Sequence, residues 1–213
     1  MIYLGLGLAL LGPFGLALAD ERRRGSPRLG EALLGEALYV GLVSVVLWIA
    51  FGPAGLRPEQ LGLRPLTGQS AAWGVALLLF FQLVYGPLLS RVFRGLGVRG
   101  FGGGLAKLWK LPPWYLVLAV AIGGTAEELL YRGYAIAQLE QLGASPWLAA
   151  LLPLVVFAAA HVPLWGVAPA VSTFFAGAVF TAFFLWQRDL APNVIAHVAT
   201  DFVGIVLARQ KAN

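Results

Sequence analysis

The sequence predicts an all-α fold: a polytopic transmembrane helical bundle of about seven helices, within a range of six to eight. Three observations predict it. The chain is 59% hydrophobic and only 12% charged, with a mean hydropathy of +0.80. A soluble domain carries about a quarter charged residues, so lipid must be the solvent for most of this surface. Several apolar runs reach the roughly 20 residues needed to cross a ~30 Å hydrocarbon core. Strand-length alternation is absent, which leaves helices rather than a barrel as the spanning element.

The apolar runs fall near residues 2–19, 31–52, 71–90, 114–138, 147–162, 169–186 and 190–208. Gly52-Pro53, Pro112-Pro113, Pro146, Pro163, Pro169 and Pro192 mark their ends. The Gly-rich, basic stretch 91–112 between the third and fourth runs has room for a short interfacial helix. Gly and Ala recur within the runs, which lets helix backbones pack closely in lipid. No repeat and no linker is visible, so residues 1–213 read as one membrane domain.

Charge gives the orientation. Arg22, Arg23, Arg24 and Arg28 follow the first run, Arg91, Arg94, Arg99, Lys107 and Lys110 follow the third, and Arg209 and Lys211 follow the last. Eleven of the fifteen basic residues therefore fall on one side of a seven-helix chain with its N-terminus out and its C-terminus in. The positive-inside rule makes that side cytoplasmic, and the expected location is the plasma (inner) membrane of a prokaryote. Ala17-Leu18-Ala19 resembles a signal-peptide cleavage site, but no basic residue precedes the first run and three arginines follow it, so a retained helix is expected. The absence of Cys excludes disulfides, thiolate nucleophiles and Cys-ligated metals. The basic residues flank apolar runs and form no aromatic-basic surface, so the net charge of +5 implies no nucleic acid partner.

The informative residues are those that lipid should exclude. Ionisable groups at membrane depth cost about 2.5–3.5 kcal/mol each by the lower estimates and persist when paired or functional. Six lie beyond residue 113: Glu127, Glu128, Arg132, His161, His197 and Asp201, including both His residues of the chain. Glu128 and Arg132 are four apart, on one helix face, and can pair. Glu127 is turned about 100° from Glu128 and faces elsewhere. His197 and Asp201 share a face, as do Phe157 and His161, with Pro163 expected to end the helix that carries them. If the three faces converge, a Glu and a His around one water can take its proton and leave a nucleophile. A second His with a polar neighbour can donate to the oxyanion of a tetrahedral intermediate. Glu127, the less closely paired carboxylate, is then the better base, and Glu128 the better structural partner. Taken singly, each residue has a structural reading: an ion pair for Glu128 and Arg132, packing for Phe157 and for a lone His, local pairing for Asp201 with His197. Those readings leave unexplained why six such residues lie on three helices of one half, while the first three spans hold only Glu31 and Glu36 near the start of the second.

The motifs E-E-x-x-x-R (residues 127–132), F-x-x-x-H (157–161) and H-x-x-x-N/D (197–201), in this order and in membrane spans, resemble the CPBP family, the CAAX proteases and bacteriocin-processing enzymes also called the Abi family. The resemblance covers residues 114–206, the family's helical core, and no family signature is visible in 1–113. It implies an intramembrane endopeptidase that cuts a peptide or membrane-associated protein substrate, lipidated or not, with membrane lipids around it. It also implies roles: Glu127 and His161 activate the water, His197 and Asp201 form the oxyanion hole, and Glu128, Arg132 and Phe157 support them. Active proteases of the family resemble H-x-x-x-N, whereas position 201 is Asp. An ionised Asp cannot donate a hydrogen bond, so Asp201 either works protonated or orients His197 as an acceptor. No cofactor is expected. Zinc on Glu127, His161 and His197 is the alternative, although H-E-x-x-H spacing is absent. Two other functions compete: a non-catalytic interaction or bacteriocin-immunity protein with the same fold, and a proton-coupled transporter that relays protons through the same groups. The transporter lacks a visible inverted repeat.

Overall fold

The computed structural model describes residues 1–21, 28–98 and 100–212. Among these residues it contains eight helices and no strand. Seven are long: α1 (Ile2–Glu21), α2 (Leu29–Phe51), α3 (Gly68–Gly95), α5 (113–141), α6 (Pro146–Trp165), α7 (Val167–Gln187) and α8 (191–212); α4 (Gly102–Leu108) is short. The seven apolar runs coincide with the seven long helices to within a few residues at their ends, and the stretch 91–112 does hold a short helix, α4. Arg22, Arg23, Arg24 and Arg99 of the charge map lie outside the described residues.

Local chemistry sets the helix ends. Pro113, Pro146 and Pro192 sit in first turns, where the missing N–H costs nothing. The Thr67 hydroxyl accepts from Ser70 N at 3.0 Å, and Ser145 Oγ accepts from Leu148 N at 3.4 Å, each capping a helix start. Within α3 the helix widens into a π-turn over Phe81–Tyr85, where the Gly86 N–H reaches back to the Phe81 carbonyl. This widening comes just ahead of Pro87, whose ring would crowd the carbonyl four residues before it in a regular α-helix. The α-helix that carries Phe157 ends at Ala160, ahead of Pro163, in line with the expectation from sequence. The helix breaks at His161 and resumes for one turn over Val162–Trp165.

Packing is organised around α5. This helix touches α1 and α2 on one side, and α6 and α8 on the others. Helix α3 lies along α8, α7 lies along α6 and meets α8, and α4 rests on the last turn of α6, with Phe101 edge-on to Trp165 at 5.4 Å. Leu130–Gln138 of α5 is buried without interruption. A helix enclosed on every side need not be apolar on any one stripe. Among the described residues, six of the seven long helices, all but α5, are long and apolar enough by themselves to cross a membrane. The exception is the helix wrapped by protein, and it is the one that carries Glu127, Glu128 and Arg132. The chain is an integral membrane protein.

At the opposite end from α4, the turns are tied together. Arg188 caps α7 in the left-handed conformation and grips Glu140 with two bonds of 2.9 and 2.7 Å. The Gly62 carbonyl accepts from Leu190 N at 2.9 Å. Gly62 itself has φ +74°, and a Cβ there would stand 2.6 Å from the Phe184 ring. Gly62→Ala should therefore destabilise the protein by about 1–3 kcal/mol, read as a lowered thermal midpoint of the full chain in detergent.

Candidate active site

The site is built from three helices that meet near the middle of the bundle. Glu127 is fourteen residues from each end of α5, about 21 Å at 1.5 Å per residue. From Glu128 to Ala135 the helix opens into π-turns, a feature that recurs at functional sites. Glu127 and Glu128, adjacent in sequence, meet opposite nitrogens of His197 and otherwise have different neighbours.

Glu128 is fully buried and saturated. Its Oε1 accepts from Arg132 Nη1 at 2.9 Å and from His197 Nδ1 at 2.9 Å, and its Oε2 accepts from Asn193 Nδ2 at 3.1 Å. Arg132, 1% exposed, spends its remaining donors on α7, with Nη2 on the Gly177 carbonyl at 3.2 Å and Nε on Thr181 Oγ1 at 3.3 Å. Its guanidinium lies 4.2 Å from the centroid of the Phe157 ring, a cation–π contact that strengthens on desolvation. Gly177 permits this approach, since a Cβ there would stand 2.9 Å from Arg132 Nη2. One ion pair thus joins α5, α6, α7 and α8.

Glu127 has no such anchor. Its carboxylate is 21% exposed and faces two imidazoles: His161 Nε2 is 4.0 Å from Oε1, and His197 Nε2 is 3.5 Å from Oε2. The break at His161 sets the first imidazole. The His161 N–H bonds to the Ala158 carbonyl, three residues back, which leaves the Phe157 carbonyl free to take His161 Nδ1 at 2.8 Å. A carbonyl only accepts, so Nδ1 carries the proton and, in the neutral ring, Nε2 turns a lone pair towards Glu127. His197 is fixed differently. Its Nδ1–H donates to Glu128, Phe180 stacks on its ring at 5.3 Å, and its Nε2 lies between Glu127 and the Asp201 carboxylate at 3.6 Å.

All seven residues singled out from sequence therefore meet here. Phe157 does so through its ring under Arg132, its carbonyl on His161, and an edge contact with His161 at 4.7 Å. Asn193, Thr181 and Gly177 were not foreseen. Asn193 carried a usable signal, standing four residues before His197 on the same face of an apolar helix. Thr181 and the Gly177 carbonyl carried none, because α7 has no ionisable residue to draw attention to it. Zinc needs three side chains converging within about 2.0–2.2 Å of one point. Among the described residues no group of three or more His, Cys, Asp or Glu is already arranged to hold a metal ion.

Fold and site together define a class: a polytopic helical membrane protein whose embedded site sets one open carboxylate against two imidazoles. Residues 109–203 match the family model described as Type II CAAX prenyl endopeptidase Rce1-like. The match holds all three motifs and bears out the resemblance to CAAX proteases. No curated protein and no solved structure matches the chain.

The buried pair and the open carboxylate should respond differently to neutralisation. Glu128→Gln leaves Arg132 buried without a counter-charge and should cost about 3–5 kcal/mol. Glu127→Gln should change stability by less than about 1 kcal/mol. Thermal unfolding of both variants in the same detergent checks the contrast.

Proposed function

We propose that this protein is an intramembrane endopeptidase that hydrolyses peptide bonds with a water activated by Glu127 and His161. The observation that carries the reading is the 4.0 Å gap between Glu127 Oε1 and the lone pair of His161 Nε2. Two acceptors at that separation call for a donor between them. A water making bonds of about 2.8 Å to each would hold them at an angle of roughly 90°, near its own bond angle.

Glu127 takes the water's proton as its oxygen attacks the scissile carbonyl, forming a C–O bond and an oxyanion. His197, held by Glu128 at Nδ1, presents Nε2–H to that oxyanion when both ring nitrogens are protonated. Collapse of the intermediate breaks the C–N bond, and the proton on Glu127 passes to the leaving amine. Asp201 acts on His197 as an acceptor and not on the oxyanion, because a carboxylate beside an oxyanion would repel it. No step passes through a metal. The substrate is a peptide or membrane-associated protein segment, lipidated or not, drawn from the surrounding bilayer. The basic residues of α3, α4 and α8 support an N-out, C-in orientation in a prokaryotic plasma membrane.

Glu127→Gln, His161→Ala and His197→Ala should each lower peptide cleavage by about 10²–10⁴-fold while the chain stays folded. No cleavage by the wild-type chain, with biological activity unchanged in all three variants, would overturn the proposal in favour of a non-catalytic membrane protein. Separately, dialysis of the purified chain against a strong chelator should leave cleavage at its starting rate; loss, with recovery on adding zinc, would reinstate a metal.

A further inference from the structure

Between Glu59 and Glu127 the chain has no Asp or Glu, while Arg91, Arg94, Arg99, Lys107 and Lys110 crowd into one part of that stretch. Arg91 and Arg94 lie on the last turns of α3, a helix longer than a bilayer needs. Its start is fixed at one membrane face. Thr67 caps it, and Ser70 Oγ donates to Asp189 Oδ2 at 2.6 Å, in the turn that also carries Arg188, the partner of Glu140. A hydrocarbon core of ~30 Å takes about 20 residues at 1.5 Å each. Counted from Ser70, that core ends at about Ser90, which puts Arg91 and Arg94 at the level of the lipid headgroups. The segment beyond Pro87 is also two-faced. At about 100° per residue, Leu88, Leu89, Val92, Phe93 and Leu96 fall within an arc of about 140°, and Ser90, Arg91 and Arg94 fall on the other side.

No residue of 86–95 is buried, and Leu88, Val92 and Leu96 are exposed. Among the described residues, neither Arg91 nor Arg94 has an ion pair or a side-chain hydrogen bond. The segment is nonetheless braced. A Cβ on Gly100 would stand 3.1 Å from the Phe93 ring, Phe93 lies 6.5 Å from Phe101, and Phe101 stands edge-on to Trp165 of α6. We propose that residues 88–96 form an interfacial binding site for an anionic phospholipid, with Arg91 and Arg94 on its phosphate and Leu88, Val92 and Leu96 among the acyl chains. Three residues apart on a helix, the two guanidinium groups share a side, and each fork matches a pair of phosphate oxygens. The surrounding stretch holds no carboxylate, so the counter-charge comes from outside the chain. An acidic protein would supply charge but would leave the apolar arc unused, whereas a bilayer surface satisfies both faces at the depth where the helix ends. A zwitterionic headgroup brings its own cation to compete for the phosphate, and an anionic one does not. Neither arginine takes part in the hydrolytic reading of Glu127.

The full chain in uncharged detergent, mixed with phosphatidylglycerol or with phosphatidylcholine of the same chain length, can be read by native mass spectrometry as lipid retained per chain. Phosphatidylglycerol should be retained about tenfold more strongly at low salt, and the preference should fade as salt rises. Arg91→Gln and Arg94→Gln should each weaken its retention about fivefold and leave phosphatidylcholine unchanged. The double variant Arg57→Gln/Arg64→Gln removes two exposed arginines at the opposite end of the bundle and should keep the wild-type preference. An equal loss in that control reduces the effect to net charge and overturns the site. A wild-type chain without preference also overturns it, and one that instead holds polyglutamate points to an acidic protein partner. A second measurement needs no variant. Phosphatidylglycerol carrying a photoreactive group in its headgroup should label residues 88–96 of the wild-type chain, and labelling confined to other segments overturns the location.

Discussion

The Glu128–Arg132 pair is the constraint on which the rest of the structure depends. Two opposite charges buried together are tolerated only if geometry is close and every remaining donor and acceptor is met. Here the requirement is met by neighbours on other helices: Asn193 and His197 on α8, the Gly177 carbonyl and Thr181 on α7, and the Phe157 ring on α6. Each of those contacts also fixes a helix. The pair therefore acts as a polar tie, in a setting where apolar faces can pack against lipid as readily as against each other.

The tie sorts two adjacent carboxylates into different tasks. Glu128 is consumed by the frame, and through His197 Nδ1 it aims the second imidazole. Glu127, one residue away, is left with lone pairs and partial exposure. The opening into π-turns begins at Glu128, so the divergence of the two side chains and the change in helical register coincide. On the other wall, the turn of the His161 N–H to the Ala158 carbonyl sets the imidazole. The backbone break ahead of Pro163 frees the Phe157 carbonyl, and that carbonyl sets the tautomer of His161.

Much of this was legible in the amino-acid order. Hydropathy located seven long helices, because lipid demands long apolar runs and proline marks their starts. The spacing of Glu128 with Arg132, and of His197 with Asp201, gave shared faces that the structure contains. Other features were not legible. The π-turns at residues 128–135 and 202–207 have no pattern in an apolar sequence. Thr181 and the Gly177 carbonyl look like ordinary helix residues until Arg132 reaches them. Pro163 reads as a terminator, which the break ahead of it bears out, but only the backbone shows that the helix resumes for one turn. The central position of α5 was also hidden, since enclosure by other helices is a tertiary fact, and its weaker hydropathy gave no hint of it.

That enclosure bears on how the chain is made. Membrane proteins emerge from the ribosome N-terminus first, and α1, α2 and α3 are apolar enough to partition into lipid unaided. The motif-free first half would then already stand in the bilayer when α5 arrives. Arg132 reaches the bilayer before α7 has been synthesised, but it does not come alone. Glu128, one turn earlier on the same helix, lets the two charges enter as a neutral couple, and the later helices inherit a polar socket to close around.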